Sequence, residues 1–219
     1  YEEGVKVPLI VHWPEKNEYL LNAGKERDDI VSGIDISTSS LAIAGIEIPE
    51  FMEGKDLFSK NYRERDFVVS AKDRQGNAID HARAIRTDNF MYIRNYMTDR
   101  PLYQPAYRDS YATFVNLREL YAQGELTALQ ESFFEASKRP DEELYNIKMD
   151  PHQINNLADR NGYKKFLKKY RRVLKKWEMK TDDKGRYPDS IEELRKVYEY
   201  APERCVNPEY SVFREGSKK

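Results

Sequence analysis

The sequence predicts an α+β fold, in which helices pack on a small antiparallel sheet. Two observations favour this class. Residues 66–71 and 81–96 contain short strand-like runs with turn residues between them, and residues 162–178 carry an apolar stripe at helical spacing. In addition, the apolar run at residues 7–11 is typical of a strand that is buried on both faces, as in a parallel sheet.

The composition describes a chain that can build a hydrophobic core. The 219 residues include 37 Lys and Arg against 38 Asp and Glu, so the formal net charge is −1. This balance argues against a dedicated nucleic-acid-binding protein. No apolar run approaches the roughly 20 residues that cross a membrane, and the single cysteine excludes an intrachain disulfide. Sixteen Tyr, nine Phe and two Trp argue against disorder.

The N-terminal region predicts one strand and one helix. The run at residues 7–11 needs sheet neighbours on both sides, and no targeting signal precedes it, so we interpret the chain as a fragment that begins within a domain. After a polar connection, residues 30–32 are a short strand candidate. Asp35 is predicted to cap a helix that ends near Ala44, before Gly45.

Three strands are predicted in the middle of the chain, at residues 66–71, 81–87 and 90–96. The last two are separated by Asp88 and Asn89. This link predicts a hairpin, because both residue types tolerate the positive φ that such turns need. A metal-binding role for the pair is less favoured, since strand candidates flank it on both sides.

The second half of the chain is predicted to be mainly helical. The expected elements are a strand at residues 143–147 and helices at residues 112–123, 127–136, 162–178 and 189–200. Gly124 is expected to end the first of these helices, because glycine readily adopts the left-handed conformation of a helix C-cap. No internal repeat or low-complexity segment interrupts this pattern.

Candidates for chemistry are few. Cys205 has little positive charge around it, and the histidines at positions 12, 81 and 152 are too far apart in sequence for a local zinc site. The residues therefore predict no metal site and no catalytic constellation. Between Arg160 and Lys176 there are nine Lys and Arg and no acid. A solvated helix face is the favoured interpretation, and a non-catalytic module that binds a polyanion or glycan is the alternative.

Three stretches of the sequence resemble the C-terminal portion of a sulfatase. Residues 1–14, YEEGVKVPLIVHWP, resemble a family strand, and residues 83–95, RAIRTDNFMYIRN, resemble a family hairpin. Residues 142–158, EELYNIKMDPHQINNLA, resemble the family pattern E-L-Y-D-L-x-x-D-P-x-E-x-x-N-L-A, with Asn146 and Gln153 as departures. The resemblance is closest to the heparan N-sulfatase (N-sulfoglucosamine sulfohydrolase) subgroup.

The resemblance implies an alkaline-phosphatase-like α/β fold for the intact protein, of which this chain is an α+β fragment. Residues 1–62 would hold the last strand and helix of the catalytic sheet, residues 63–183 an antiparallel-sheet subdomain with helices, and residues 184–219 a helix and an irregular tail. It also implies a calcium ion and a formylglycine, both outside this chain, so no catalytic residue is assigned here. The expected partner is the N-terminal catalytic part, and the expected compartment is the periplasm or the extracellular space.

The activity that the resemblance implies is hydrolysis of sulfate esters or N-sulfates of glycosaminoglycan-type sugars. The fragment alone is expected to be inactive, because the nucleophile and the metal ligands lie elsewhere. A phosphoester hydrolase of the same superfamily is an alternative. An apolar strand at residues 7–11 without its neighbours also predicts that the fragment self-associates or needs its N-terminal part.

Substrate contacts are predicted in residues 73–83, a polar segment that joins two strand candidates. Loops on a rigid sheet are where recognition residues concentrate, and arginine grips a sulfate or carboxylate through two parallel N–H bonds. The alternative is that the arginines of this segment simply pair with its aspartates across the loop. The predicted contact residues are Asp73, Arg74, Asp80, His81 and Arg83.

Overall fold

The computed structural model describes residues 1–12 and 24–215. In this part of the chain, the helices and strands follow in the order α1 (Glu2–Val5), α2 (Gly33–Ile43), β1 (Val68–Gln75), β2 (Ala78–Arg86), β3 (Phe90–Asn95), α3 (Ala112–Gln123), α4 (Ala128–Ser132), β4 (Glu142–Asn146), α5 (Lys164–Thr181), α6 (Ile191–Tyr200) and α7 (Ser211–Glu215). The predicted class, a small antiparallel sheet packed with helices, is confirmed. Of the helices in these ranges, none is long and apolar enough to cross a membrane.

The four strands form one antiparallel sheet in the order β1-β2-β3-β4. The connection from β3 to β4 carries α3 and α4, and Gly124 ends α3 in the left-handed conformation, as predicted. A tight turn at Gly76 joins β1 to β2. The φ of Gly76 is +61°, and a Cβ on this residue would lie 3.0 Å from the Tyr107 ring. Both facts require glycine at this turn.

One face of the sheet packs against α5. The register aligns Ile85 of β2, Tyr92 of β3 and Leu144 of β4 across this face, and each is at most 1% exposed. Burying a side chain of this size contributes about 1.5–3 kcal/mol. The helix predicted at residues 162–178 and its apolar stripe are thus confirmed. The strands contact the buried residues of that stripe, which are Leu167, Tyr170 and Leu174.

The opposite face of the sheet carries a second apolar cluster and receives the N-terminus of the chain. The Tyr1 ring meets the Tyr145 ring edge to face, with centroids 6.0 Å apart. Glu2 of α1 pairs with Arg86 of β2 at 2.8 Å. These contacts hold the first residues of the chain against this face. The cluster beneath them consists of Met91, Ile93, Tyr145 and Ile147.

The residues from α6 onward cover the end of the sheet near the β1–β2 turn. Ile79 of β2 packs with Leu194 of α6, Cys205 and Tyr210. The Tyr210 hydroxyl donates a hydrogen bond of 2.8 Å to the carbonyl of Asn77. Burial raises the pKa of the Cys205 thiol, so the reactive thiolate is scarce. Cys205 is therefore a packing residue.

The polar side of α2 faces inward. Asp35 is fully buried, and its carboxylate accepts hydrogen bonds from the backbone N–H groups of Ser32 (2.8 Å) and Lys55 (2.7 Å). Gly54 approaches α2 so closely that a Cβ would overlap the Thr38 side chain and a backbone carbonyl of the helix. The apolar residues of the helix point away from these contacts. The exposed ones are Ile34, Ile36 and Ile43, at 50%, 48% and 39%.

The strand predicted at residues 7–11 is not formed. Val7 and Ile10 are 77% and 90% exposed and belong to no helix or strand. The physical reason is that a strand needs hydrogen-bonding neighbours, and no strand among the described residues pairs with this segment. Residues 30–32 likewise form no strand. Ser32 is instead the N-cap of α2, and Asp35, the predicted cap, lies at the third helical position.

The hairpin predicted between β2 and β3 is confirmed, but its turn differs from the prediction. Asp88 and Asn89 are not among the residues with a positive φ. The turn is closed by Thr87, whose backbone N–H donates to the Phe90 carbonyl (2.9 Å) and whose hydroxyl accepts from the Phe90 N–H (3.2 Å). The Thr87 side chain thus supplies a bond that residue-type preferences for tight turns do not anticipate. The helix predicted at residues 127–136 is also shorter, since α4 ends at Ser132.

Candidate functional site

The predicted contact segment, residues 73–83, belongs to the sheet and is not a loop. β1 continues to Gln75 and β2 begins at Ala78, so only residues 76 and 77 connect the two strands. The loop prediction is wrong because the charged side chains of the segment have ion-pair partners within the protein, which allows a polar run to form strands. Three of the five predicted contact residues are buried, namely Asp80, His81 and Arg83, at 1%, 3% and 2% exposure.

A β-bulge lies within this segment. The register of β1 against β2 shifts between Lys72 and Arg74, so that two residues of β2, Asp80 and His81, lie opposite the single β1 residue Asp73. Bulges re-aim side chains and interrupt the regular alternation of a strand. The two neighbouring residues accordingly contact different partners, which the sequence did not indicate.

Arg83 is the centre of an ion-pair cluster on the α5 face of the sheet. Its Nη1 donates to Asp73 (2.7 Å), and its Nε and Nη2 donate to Asp183 (3.0 and 2.9 Å). Burial opposes the charge of the guanidinium, but the hydrogen bonds to Asp183 and Asp73 raise the pKa of Arg83 overall. All three nitrogens are used within the chain. Arg83 thus pairs with Asp73 of its own segment, and its contact with substrate stays a prediction.

Arg74 pairs with Asp189, immediately before α6, and not with an aspartate of its own segment. The other oxygen of Asp189, Oδ1, lies 3.3 Å from Nε2 of His81. Asp189 therefore connects both strands to α6. The Asp189 carboxylate lies 115 residues from Arg74 in sequence, so local spacing could not predict this contact.

Asp80 belongs to a buried polar network that continues onto the face opposite α5. Its carboxylate accepts hydrogen bonds of 2.5 Å from Lys72 Nζ and from Arg139 Nη2. Arg139 also donates to the side-chain oxygen of Asn95 (3.2 Å), and Asn95 Nδ2 donates to Glu143 (2.7 Å). We call these five residues the Asp80 network. It joins β1, β2, β3 and β4 through side chains alone.

Glu143 extends the Asp80 network to the first residue of the chain. The hydroxyls of Tyr1 and Tyr145 both donate to Glu143 Oε2, at 2.8 and 2.6 Å. Burial and the neighbouring carboxylate raise the pKa of both tyrosines, so they remain hydrogen-bond donors at any physiological pH. One donor is left over: Arg139 Nη1 is buried and has no hydrogen-bond partner among the described residues.

Among the described residues, the Asp80 network contains one unsatisfied donor of the kind that binds anions, Arg139 Nη1. A buried donor without a partner costs about 1–3 kcal/mol, and guanidinium groups bind sulfate or carboxylate oxygens through charge-assisted hydrogen bonds. In the part of the chain that the structure describes, no three His, Cys, Asp or Glu residues come together as metal ligands. The residues present therefore do not fit the calcium site that the resemblance implies, and the buried Cys205 does not fit a formylglycine precursor.

Four members of the Asp80 network were not predicted from the sequence: Lys72, Asn95, Arg139 and Glu143. A signal existed for two of them. Asn95 and Glu143 lie inside the runs predicted as strands at residues 90–96 and 143–147, and a polar or charged side chain within a largely buried strand indicates a buried partner. Lys72 lies one residue beyond the predicted strand at residues 66–71. Arg139 lies just before β4 and outside any periodic segment, so nothing in the local pattern points to it.

Comparison with known proteins gives a family and several relatives. A family profile described as "N-sulphoglucosamine sulphohydrolase, C-terminal" matches residues 1–136. An ulvan-active sulfatase of Formosa agariphila is 32% identical over 192 residues, which are 87% of this chain and 31% of that protein. A second ulvan-active sulfatase of the same organism is 25% identical over 181 residues, or 80% of this chain and 33% of that protein. The chain thus spans about a third of the length of these curated relatives.

Among solved structures, a 2-O GAG sulfatase aligns with a TM-score of 0.47 and 20% sequence identity. The alignment covers 74% of this chain and 28% of that protein. The family profile is the more decisive finding, because it covers more than half of the chain and includes β1, β2, β3 and part of the Asp80 network. The chain therefore belongs to the N-sulphoglucosamine sulphohydrolase, C-terminal family.

Proposed function

We propose that the chain is the C-terminal portion of a sulfatase that hydrolyses sulfate esters or N-sulfates of glycosaminoglycan-type sugars, with heparan N-sulfatase as the nearest activity. The observation that carries this proposal is the family match over residues 1–136. The curated relatives, both ulvan-active sulfatases, support a sulfated saccharide as the substrate class.

In this proposal, the bond-breaking chemistry belongs to an N-terminal catalytic part that would carry the calcium ion and the formylglycine. A divalent cation at such a site offsets the negative charge of the transferring sulfate group. The residues of this chain would bind and orient the sugar beside that part. A periplasmic or extracellular location is a further element of the proposal.

The Asp80 network is the proposed contact point for the sugar. Arg139 Nη1 has no partner in the described ranges. Lys72 pairs with the same Asp80 carboxylate as Arg139, and its side chain is 38% exposed, so this part of the network is open to solvent. An oxygen of a sulfate or carboxylate group would satisfy the unpaired guanidinium nitrogen. The other predicted contact residues are retained as predictions, although each is also paired within the chain: Asp73, Arg74, His81 and Arg83.

The N-terminal catalytic part is proposed to dock on the apolar surface that this chain exposes. Val7 and Ile10 of the N-terminal segment and Ile34 and Ile36 of α2 are 48% exposed or more. Exposed apolar groups of this kind mark protein interfaces. Without that partner, the same surface would cause the isolated chain to self-associate.

The test measures sulfate release by the full-length protein from N-sulfoglucosamine, 6-O-sulfoglucosamine and ulvan oligosaccharides. Arg139→Lys keeps the charge beside Asp80 but removes the Nη1 donor. We expect this variant to lower kcat/KM at least tenfold at a temperature where circular dichroism shows it to be folded, because it removes an interaction with the substrate. Arg118→Lys is the matched control, since Arg118 pairs with Asp109 at 2.7 Å and is 36% exposed.

Three results would count against parts of this proposal. Sulfate release by the 219-residue chain alone would contradict the division between the two parts. Hydrolysis of phosphoesters by the full-length protein, with no sulfate release, would favour the phosphoester hydrolase instead. Equal kcat/KM values for wild type and Arg139→Lys would remove the Asp80 network from substrate binding.

A further inference from the structure

Helix α5 carries a dense cationic surface for which the proposed function has no role. From Lys164 to Trp177 the helix contains eight Lys or Arg and no acid. All eight of these side chains are exposed, whereas the apolar stripe of the same helix is buried against the sheet. The positive charge therefore faces outward from a helix that is fixed in place.

Most of these cations have no acidic partner in the described part of the chain. Arg171 is an exception because it pairs with Glu142. Lys169 lies over the Tyr170 ring, 5.5 Å from its centroid. We call the other six the α5 cationic face, and no ion pair links them to a described residue: Lys164, Lys165, Lys168, Arg172, Lys175 and Lys176.

Three other exposed lysines of the chain, in contrast, have acidic partners. Lys180 pairs with Glu53 at 2.7 Å, and Lys196 pairs with Glu192 at 3.0 Å. Lys184 pairs with the neighbouring Asp182. Since the net charge of the whole chain is −1, the α5 cationic face is a local excess of positive charge.

The spacing of the face suits an extended ligand. Lys164, Lys168, Arg172 and Lys176 recur every four residues, so they form a row about 18 Å long at the helical rise of about 1.5 Å per residue. Like charges at this spacing repel each other and destabilise a helix. A linear polyanion would relieve this repulsion at several positions at once.

We propose that the α5 cationic face binds a sulfated polysaccharide along its length. This inference rests on the proposed function, because a sulfatase that acts on polymers must hold a chain that carries many sulfate groups. Lysine ammonium groups on flexible stems suit sulfates at variable positions, since they need no fixed bidentate geometry. The sugar polymer would therefore be retained by charge, with little selection for one sulfate position.

Two other polyanions, an anionic membrane and a single-stranded nucleic acid, fit the α5 cationic face less well. A membrane-binding helix inserts its apolar face between lipids, but the apolar stripe of α5 is already buried in the core. Proteins that bind single-stranded nucleic acid stack bases on aromatic side chains, but the exposed aromatic residue of α5, Phe166, is already stacked on the Phe90 ring, with centroids 4.7 Å apart. The observations therefore favour a sulfated polysaccharide.

The experiment compares two triple variants of the full-length protein on immobilised heparin. Lys168→Gln, Arg172→Gln and Lys176→Gln together remove three charges of the α5 cationic face. Lys180→Gln, Lys184→Gln and Lys196→Gln are the matched control, because they remove the same charge from paired lysines. We expect the first variant to bind heparin at least tenfold more weakly and to elute at lower salt, while the control elutes with wild type. The slope of log Kd against log salt should fall by about two, at ~0.7 per cation on a flexible polyanion.

Turnover separates this inference from the proposed function. Release of sulfate from N-sulfoglucosamine, which is too short to span the row, is expected to remain unchanged in the first variant, whereas release from polymeric heparin should fall several-fold. Equal heparin retention by both triple variants, or equal retention of desulfated heparin by wild type, would overturn the inference. Stronger retention on double-stranded DNA than on heparin would also overturn it. Heparin retention without sulfate release from any saccharide would contradict the proposed function while supporting the binding face.

Discussion

Helices α2 and α5 bury opposite kinds of side chain. α5 buries Leu174 to 4% exposure and turns its charges outward, whereas α2 buries Asp35 completely and leaves Ile36 48% exposed. The difference indicates where each helix finds its apolar partner. The partner of α5 is the sheet within this chain. Among the described residues, the exposed isoleucines of α2 belong to none of the apolar clusters of the core, so we propose that the N-terminal catalytic part covers them.

The largest loss of stability is expected from Asp35→Ala, which tests the buried polar side of α2. The substitution removes two backbone hydrogen bonds of 2.7 and 2.8 Å and leaves Arg65, which now pairs with Asp35, without an acid. Breaking a buried ion pair by removing one partner costs about 3–5 kcal/mol. We therefore expect the urea midpoint of unfolding to fall sharply. Glu47→Ala, an exposed residue near the end of α2, is the control. A loss below about 1 kcal/mol would show that the polar side is not structural.

A smaller, pH-dependent loss of stability is expected from Glu142→Gln, which removes the ion pair between β4 and Arg171 of α5. Hydrogen bonds from Arg171 lower the pKa of Glu142 below its usual value, and the Tyr92 hydroxyl also donates to it at 2.5 Å. Arg171 is 55% exposed, so solvent screening holds the expected loss to about 1 kcal/mol at neutral pH.

The sign of the pH dependence follows from the lowered pKa. The ionised Glu142 stabilises the folded state at every pH above the unfolded pKa of about 4.3, and this contribution is lost as the pH falls through the folded pKa. Unfolding free energies of wild type and Glu142→Gln should therefore differ at pH 7 and converge as the pH falls below the unfolded pKa and through the lowered folded pKa. Glu192→Gln, 78% exposed, serves as the comparison variant. A difference that persists unchanged at acidic pH would contradict the role assigned to the ion pair.

The smallest change in the free energy of unfolding is expected at the exposed isoleucines of α2. Ile34→Ser with Ile36→Ser should change the unfolding free energy of the isolated chain by less than about 0.5 kcal/mol per site, because both side chains are half exposed. The same pair should reduce self-association of the isolated chain in sedimentation velocity. Met179→Ser on α5 is the matched control, since Met179 is 72% exposed. Equal association of both variants would remove α2 from the proposed interface.

The sequence predicted what depends on local periodicity. The stripe of α5, the C-cap at Gly124 and the β2–β3 hairpin all follow from neighbouring residues, and all are present. The prediction of a strand at residues 7–11 is wrong for a different reason. The pattern is that of a buried strand, but no strand among the described residues pairs with this segment. Strand formation depends on a partner that the local sequence does not contain.

The candidate site was harder to predict because its members come from distant parts of the chain. Asp80 was singled out, yet its partner Arg139 is 59 residues away, and Asp189 is more than 100 residues from both His81 and Arg74. Such pairs depend on how the sheet and the final helices come together. Composition could indicate only that the segment is polar, and a polar segment was therefore expected to be a loop.

The bulge in β2 allows this strand to lose one residue without disturbing the rest of the sheet. Because Asp80 and His81 share one position opposite Asp73, removal of either residue would restore regular pairing and leave both flanks of the strand in register. Chain length can therefore vary by one at this point without moving the hydrophobic core. A relative that lacks one of the two residues would keep the sheet and lose either the Asp80 network or the contact between His81 and Asp189. An alignment gap at this position would thus separate homologues by their polar chemistry and not by their fold.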